Sequence, residues 1–169
     1  MNPRTALADM RTMRLLFPAA EREAAELGDE LPGPEHLLLA ALTLPDDSGR
    51  TALAACGLFA EDVRAAIPAA HADSLRAMGI PDHADLGISA RAAPHGPFRS
   101  SGSAQIVFRR AIALAKTVSR TRLRTAHVVW AVAELDSGTA ARVLSALQVN
   151  RPELLRAAQL AAADGAPSR

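Results

Sequence analysis

Two histidines stand at matching places in this chain. His36 follows Glu35 in GPEHLLLAAL, residues 33–42, and ninety-one positions later His127 follows Ala126 in RTAHVVWAVA, residues 124–133. An imidazole can act as base, nucleophile or metal ligand, but each role needs partners. Neither histidine has a Cys, Asp or second His at a ligand spacing. The pattern predicts a partly buried ring that ties a loop carbonyl to a helix start. The lone thiol, Cys56, lies on an alanine-rich helix end without an adjacent base or electropositive setting, so it reads as a small core residue. His71, Asp73, Asp82, His83 and Asp85 share one stretch, but their spacing matches no metal motif. There is no G-x-S-x-G, no H-E-x-x-H and no paired-carboxylate arrangement. The residue chemistry points to a non-enzymatic protein without cofactor or metal.

The elements that carry the two histidines are themselves duplicated. The same offset carries Phe17 onto Phe108, Ala20 onto Ala111, Ala24 onto Ala115 and Leu53 onto Leu144, and it holds without insertion from about residue 13 to 67. Two copies of one small unit are the economical reading. Hydrophobic residues make up 49 % of the 169, aromatics only 3 %, and Tyr is absent. The core must therefore be built from Leu, Val, Ile and Ala. Ala and Leu are strong helix formers, and no alternating β-branched stretch competes. The fold class expected is all-α.

Met13, Leu16, Phe17, Ala20, Ala24 and Leu27 recur at three- and four-residue steps, one face of a helix that Gly28 should stop. Pro18 interrupts this stripe and predicts a kink or break near Phe17. A second helix should span about 34–43, with its image about 125–135 capped by Thr125. The turn 45–49 leads to a third helix, about 50–56, with its image about 139–147. The stretch Glu61 to Ile67 starts a fourth, and its image begins at Asn150, with Pro152 and Glu153 in the first turn. The stretch 69–100 reads as a linker with one short helix, 71–78, and irregular chain over 80–100. Repeat one thus covers about 10–67, repeat two about 101–160, and residues 163–169 form a fraying tail.

Nineteen basic and eighteen acidic residues leave a net charge of +1, which argues against wholesale binding to nucleic acid or membrane. No apolar run reaches the roughly 18 residues of a membrane span. The N-terminal stretch MNPRTALADMRTMRLL is interrupted by Asp9 and three arginines where a signal peptide needs an apolar core. A soluble, cytoplasmic protein is expected. The charges are nevertheless segregated. Residues 21–35 hold six acids and one base, whereas Arg99, Arg109, Arg110, Lys116, Arg120, Arg122 and Arg124 occur with no acid between them. These stretches predict an acidic patch for basic peptides and a basic patch for an acidic partner. A weaker alternative is a nucleic-acid-associated regulator using the basic face. A third is capture of a small hydrophobic ligand near Met10, Met13 and Phe17. Trp130, the one Trp, reads as core or as an interface anchor.

The double unit resembles the Clp N-terminal domain, also called the Clp R domain, the docking module at the front of Clp-type AAA+ unfoldases. The residues that carry the resemblance are EAAELGDELPGPEHLLLAAL (23–42) and AACGLFAEDVRAAI (54–67), with RTAHVVWAV (124–132) and TAARVLSALQVNRPELLRAA (139–158) in the second half. The resemblance implies two four-helix repeats related by a pseudo-twofold, and partners among Clp unfoldase or protease components, adaptors and degradation substrates. No G-x-x-x-x-G-K-[ST] stretch occurs, so the chain is expected to be a free-standing docking module or the N-domain of something longer. In some members each repeat recognises phosphorylated arginine, with the Glu of the EH pair facing the guanidinium and a Thr of the first helix helping to hold the phosphate. By that pattern repeat one keeps Glu35 but has Met10 at the Thr position, with Thr12 nearby. Repeat two keeps a hydroxyl, Ser101, but has Ala126 in place of Glu. Arg120, Arg122, Arg124 and Thr125 complete the docking residues expected on the second repeat.

Overall fold

The computed structural model describes residues 3–77, 79, 99–117 and 122–163. Among them the chain forms eight helices and no strand: α1 (Pro3–Leu27), α2 (Pro34–Thr43), α3 (Ser48–Ala54), α4 (Ala60–Ala77), α5 (Gly102–Thr117), α6 (Thr125–Ala133), α7 (Thr139–Ala146) and α8 (Arg151–Ala163). The all-α fold expected from composition is the fold observed, with two four-helix repeats about a pseudo-twofold. The irregular stretch 80–98 and the tail 164–169 lie outside the described residues.

Helices α2 and α6 form the centre. Every residue from Pro34 to Leu42 and from Thr125 to Ala133 is buried. A helix that is apolar all round belongs in an interior, and these two pack against each other there. Trp130 is part of this core. Around the centre, contacts come in related pairs. α1 packs on α2 as α5 packs on α6, while α3 packs on α8 as α7 packs on α4. The second pair crosses between repeats, so neither repeat closes its core alone.

The stripe on α1 is buried as its period requires. Leu16, Ala20 and Ala24 are buried, while Met13 and Leu27 pack half-buried against the core. At its end Gly28 has φ +82°, the Asp29 amide donates to Ala24 O at 2.8 Å, and the Gly28 amide donates to Ala25 O at 3.3 Å. This paired closure needs a left-handed residue, which glycine supplies at little cost.

Three expectations are corrected. Of the kink or break expected near Phe17, the break does not occur: α1 is one element of 25 residues with Pro18 inside it. Pro68 likewise lies inside α4, so the expected fourth helix and the short helix 71–78 are one element and residues 69–77 are not linker. Both prolines are exposed, so the carbonyls left without a donor, those of Arg14 and Arg64, are on the wet side of their helices, where water can serve them. The third correction concerns the cap of α6: Arg124 is the N-cap residue, and Thr125 is already helical.

Candidate functional site

The histidines are structural on the geometry observed. The His36 and His127 rings are fully buried. Each Nδ1 accepts a backbone amide at the start of its own helix, from Gly33 at 2.9 Å and from Arg124 at 3.0 Å. The expectation of a bonded loop carbonyl is therefore reversed: the ring accepts, and the backbone donates. At His127, burial pushes the pKa below its ordinary 6.5, in keeping with an Nδ1 that accepts a hydrogen bond and so carries no proton. His36 differs in having Asp29 Oδ2 at 3.1 Å from Nε2, with His71 Nδ1 at 3.7 Å from the same oxygen.

The first helix of each repeat reaches the opposite repeat. Leu123, just before α6, is held by both backbone groups: its amide donates to Asp9 Oδ1 at 2.6 Å, and its carbonyl accepts from Thr12 Oγ1 at 3.1 Å. Pro32 is the equivalent residue before α2, and its carbonyl accepts the Ser101 amide at 3.0 Å. The half-matched sites read from the sequence are thus wired crosswise. Ser101 lies at the end of the molecule that carries Glu35, while Thr12 lies at the end that carries Ala126.

The end that carries Ser101 and Glu35 does not present them openly. Ser101 Oγ accepts the Ala104 amide at 3.1 Å and caps α5. The Glu35 carboxylate is buried, 3.5 Å from His36 Nδ1, and a Cβ on residue 33 would overlap it. Gly33 therefore makes room for Glu35. The second repeat has Arg124 and Ala126 at these two positions, so the bulky residue and the carboxylate do not compete.

Thr125 is fully buried and serves the join between repeats. Its hydroxyl donates to Asp46 O at 2.6 Å and accepts the Gly49 amide at 2.9 Å. Its own amide donates to Asp46 Oδ2 at 2.8 Å, and the next amide, of Ala126, donates to Ser48 Oγ at 3.0 Å. The turn 46–49 of repeat one thereby caps α6 of repeat two. Burial raises the Asp46 pKa, but the amides of Thr125 and Ser48, the Arg124 charge and the Ser48 hydroxyl outweigh it and hold the carboxyl below its ordinary 3.8. Arg124 is 15 % exposed at its side chain, donates to Ala161 O at 3.0 Å and lies 3.4 Å from Asp46 Oδ1. It is a strut of this join.

Beside the join opens a cleft of about 620 Å³. One wall is the start of α1, with Leu7, Arg11, Thr12 and Leu15; the other is the chain leading out of α2, Leu44 to Asp47. Arg122, Leu123 and Arg124 close the end. Of the residues singled out in the sequence, Thr12, Arg122 and Arg124 meet here. Met10 is 45 % exposed but does not line the cleft, and Glu35, Ser101 and Thr125 lie elsewhere. Arg120 is outside the described residues. The sequence reading passed over Leu7, Arg11, Leu15 and Leu44. Leu7, Arg11 and Leu15 do recur at four-residue steps, and that signal was there to find.

The other expected faces are partly spent. Arg110 makes a bidentate pair with Glu134 at 2.6 and 2.9 Å, and with the Arg124 strut this subtracts two charges from the basic stretch. On the acidic side, buried Glu23 pairs with Arg64 at 2.5 Å. Met13 packs on the core, and the Phe17 ring meets Phe108, so the seam expected to hold a small apolar ligand is filled there by protein. Burial, with the Glu153 charge in second place, pushes the Cys56 thiol above its ordinary 9.0. No group of three or more His, Cys, Asp or Glu suited to a metal occurs among the described residues. No described helix is long and apolar enough to cross a membrane.

No family model and no curated protein matches this sequence. Solved structures do match its fold. The crystal structure of the N-terminal domain of the caseinolytic protease associated chaperone ClpD from Arabidopsis thaliana is 24 % identical, aligns over 89 % of this chain and 93 % of its own, and gives a TM-score of 0.57. The eight helices of the described residues, in two interlocked repeats with a crosswise join at their centre, therefore carry the fold of the Clp N-terminal domain.

Proposed function

We propose that this chain is a non-enzymatic docking domain of the cytoplasm. It binds Clp unfoldase or protease components, their adaptors or their degradation substrates, and so tunes Clp-dependent proteolysis. The observation that carries this reading is the likeness in fold to the ClpD N-terminal domain across most of both chains. The cleft beside α1 and α6 supports it, since exposed leucines next to cations on a concave surface suit a docked peptide. Repeat one, about 10–67, and repeat two, about 101–160, act as one unit, because their cores close only against each other.

The test is functional. The purified chain is added to a Clp unfoldase–protease degrading an unstructured fluorescent substrate, with binding to unfoldase and substrate followed by interferometry. A concentration-dependent change in degradation, with saturable binding to one component, is expected. No binding to either, with degradation untouched, contradicts the proposal.

A further inference from the structure

The geometry points to an acidic peptide segment with leucine-like side chains as the occupant of the α1–α6 cleft. The inference rests on the docking reading and names the chemistry of its ligand. Leu7 and Leu15 are 63 % and 44 % exposed on the α1 wall, one helical step to either side of Arg11. Exposed large apolar residues beside a concave surface mark an interaction site. The charges around them are unequal. Asp46 is spent on the amides of Thr125 and Ser48 and on Arg124. Asp47 is paired with Arg50. Arg11 and Arg122 are exposed and both line the cleft, one on the α1 wall and one at its end. Asp46 is matched within the protein and Asp47 by a neighbouring surface arginine, so the cleft presents cationic fork groups beside apolar side chains, which suits side-chain carboxylates spaced by apolar residues. A nucleic-acid strand fits less well, since among the described residues no aromatic side chain lines the cleft for bases to stack on.

The test uses fluorescence anisotropy of the full chain with synthetic peptides of equal length. One interleaves Glu with Leu, one replaces each Glu by Lys, and one replaces each Leu by Ser. An unlabelled oligothymidine competes. The Glu–Leu peptide should bind about tenfold or more tightly than either other peptide. Arg11→Glu and Arg122→Glu should each weaken it several-fold, and the double variant should prefer the Lys–Leu peptide, a reversal that mere loss of structure cannot produce. Arg109→Glu, exposed on α5, should change nothing. Circular dichroism confirms that each variant is folded. Equal binding of the Glu and Lys peptides, binding indifferent to both substitutions, displacement by the oligonucleotide, or no peptide binding would each overturn the inference. A cleft that binds without charge preference leaves the docking proposal standing. Peptide binding without any effect on Clp proteolysis sinks the docking proposal and leaves the ligand chemistry intact.

Discussion

Phe17 and Phe108 hold the same place in the two repeats, and their rings meet each other edge to face, with centroids 4.7 Å apart and planes at 65°. A residue that touches its own image lies on the pseudo-twofold. The contact joins the first helix of one repeat to the first helix of the other, where the two half-cores meet. In a double-mutant cycle of Phe17→Leu and Phe108→Leu, the coupling should be about 0.5–1.5 kcal/mol beyond the separate losses. Urea unfolding measures it, and additive losses would show that the rings do not act as a pair.

The join at Thr125 makes a sharper prediction. Thr125→Val keeps the shape but removes the hydroxyl that bonds Asp46 O and the Gly49 amide. The site is buried, so the abandoned groups find no water. Stability should fall by about 1–3 kcal/mol. Thr12→Val, with a half-buried hydroxyl on Leu123 O, should cost less. Chemical denaturation of both variants ranks them, and the opposite order would contradict the assignment.

Acid should weaken the fold in two stages. The folded His127 pKa lies below 6.5 because burial disfavours the charged ring. The unfolded chain therefore binds a proton that the folded chain refuses, and stability declines as pH drops below about 6.5. Asp46 behaves as a carboxyl of depressed pKa: its stabilisation is complete above 3.8 and is lost as pH falls through its folded value. Urea midpoints measured from pH 8 to pH 3 should be flat at first and then descend in these two windows. His127→Gln should flatten the upper one. A profile that rises on acidification through pH 6 would refute the buried neutral ring.

Gln148 supplies a stabilising substitution. It adopts φ +54° at the end of α7, where the equivalent residue of α3 is Gly57 at φ +71°. The closing bonds correspond, Val149 N to Leu144 O at 3.0 Å and Leu58 N to Leu53 O at 3.2 Å. A left-handed L-residue costs about 1–2 kcal/mol, from which the extra unfolded freedom of glycine takes back about 0.5–1. Gln148→Gly should therefore gain roughly 0.5–1 kcal/mol, whereas Gly57→Ala should lose stability, both read from thermal unfolding.

Much of this architecture was legible in the residues, and the reason is local. Periods of three and four on α1 and α5, Gly28 and Gly57 as stops, and the constant offset between copies all act through near neighbours. What the sequence hid acts at long range. Thr125 looks like a helix cap because threonine usually is one, yet its partners are Asp46, Ser48 and Gly49, far off in sequence and in the other repeat. The crosswise placement of Ser101 by Glu35, and of Thr12 by Ala126, has no periodic signal either. Pro18 misled for a different reason: it sits where its lost hydrogen bond faces water, so the helix passes through, as α4 does at Pro68. The candidate site was read only in part, because Arg122 and Arg124 advertise charge while Leu7 and Leu15 look like any helical leucine until α1 leaves them uncovered.

The docking claim is tested most directly by degradation of an unstructured substrate by a Clp unfoldase–protease, with this chain added as wild type or as Leu7→Ser/Leu15→Ser. Those two leucines are exposed, so the variant should fold normally. Wild type should alter the rate of degradation in a saturable manner, and the variant should lose that effect. Indistinguishable rates with wild type, variant and buffer would contradict a docking role for this cleft.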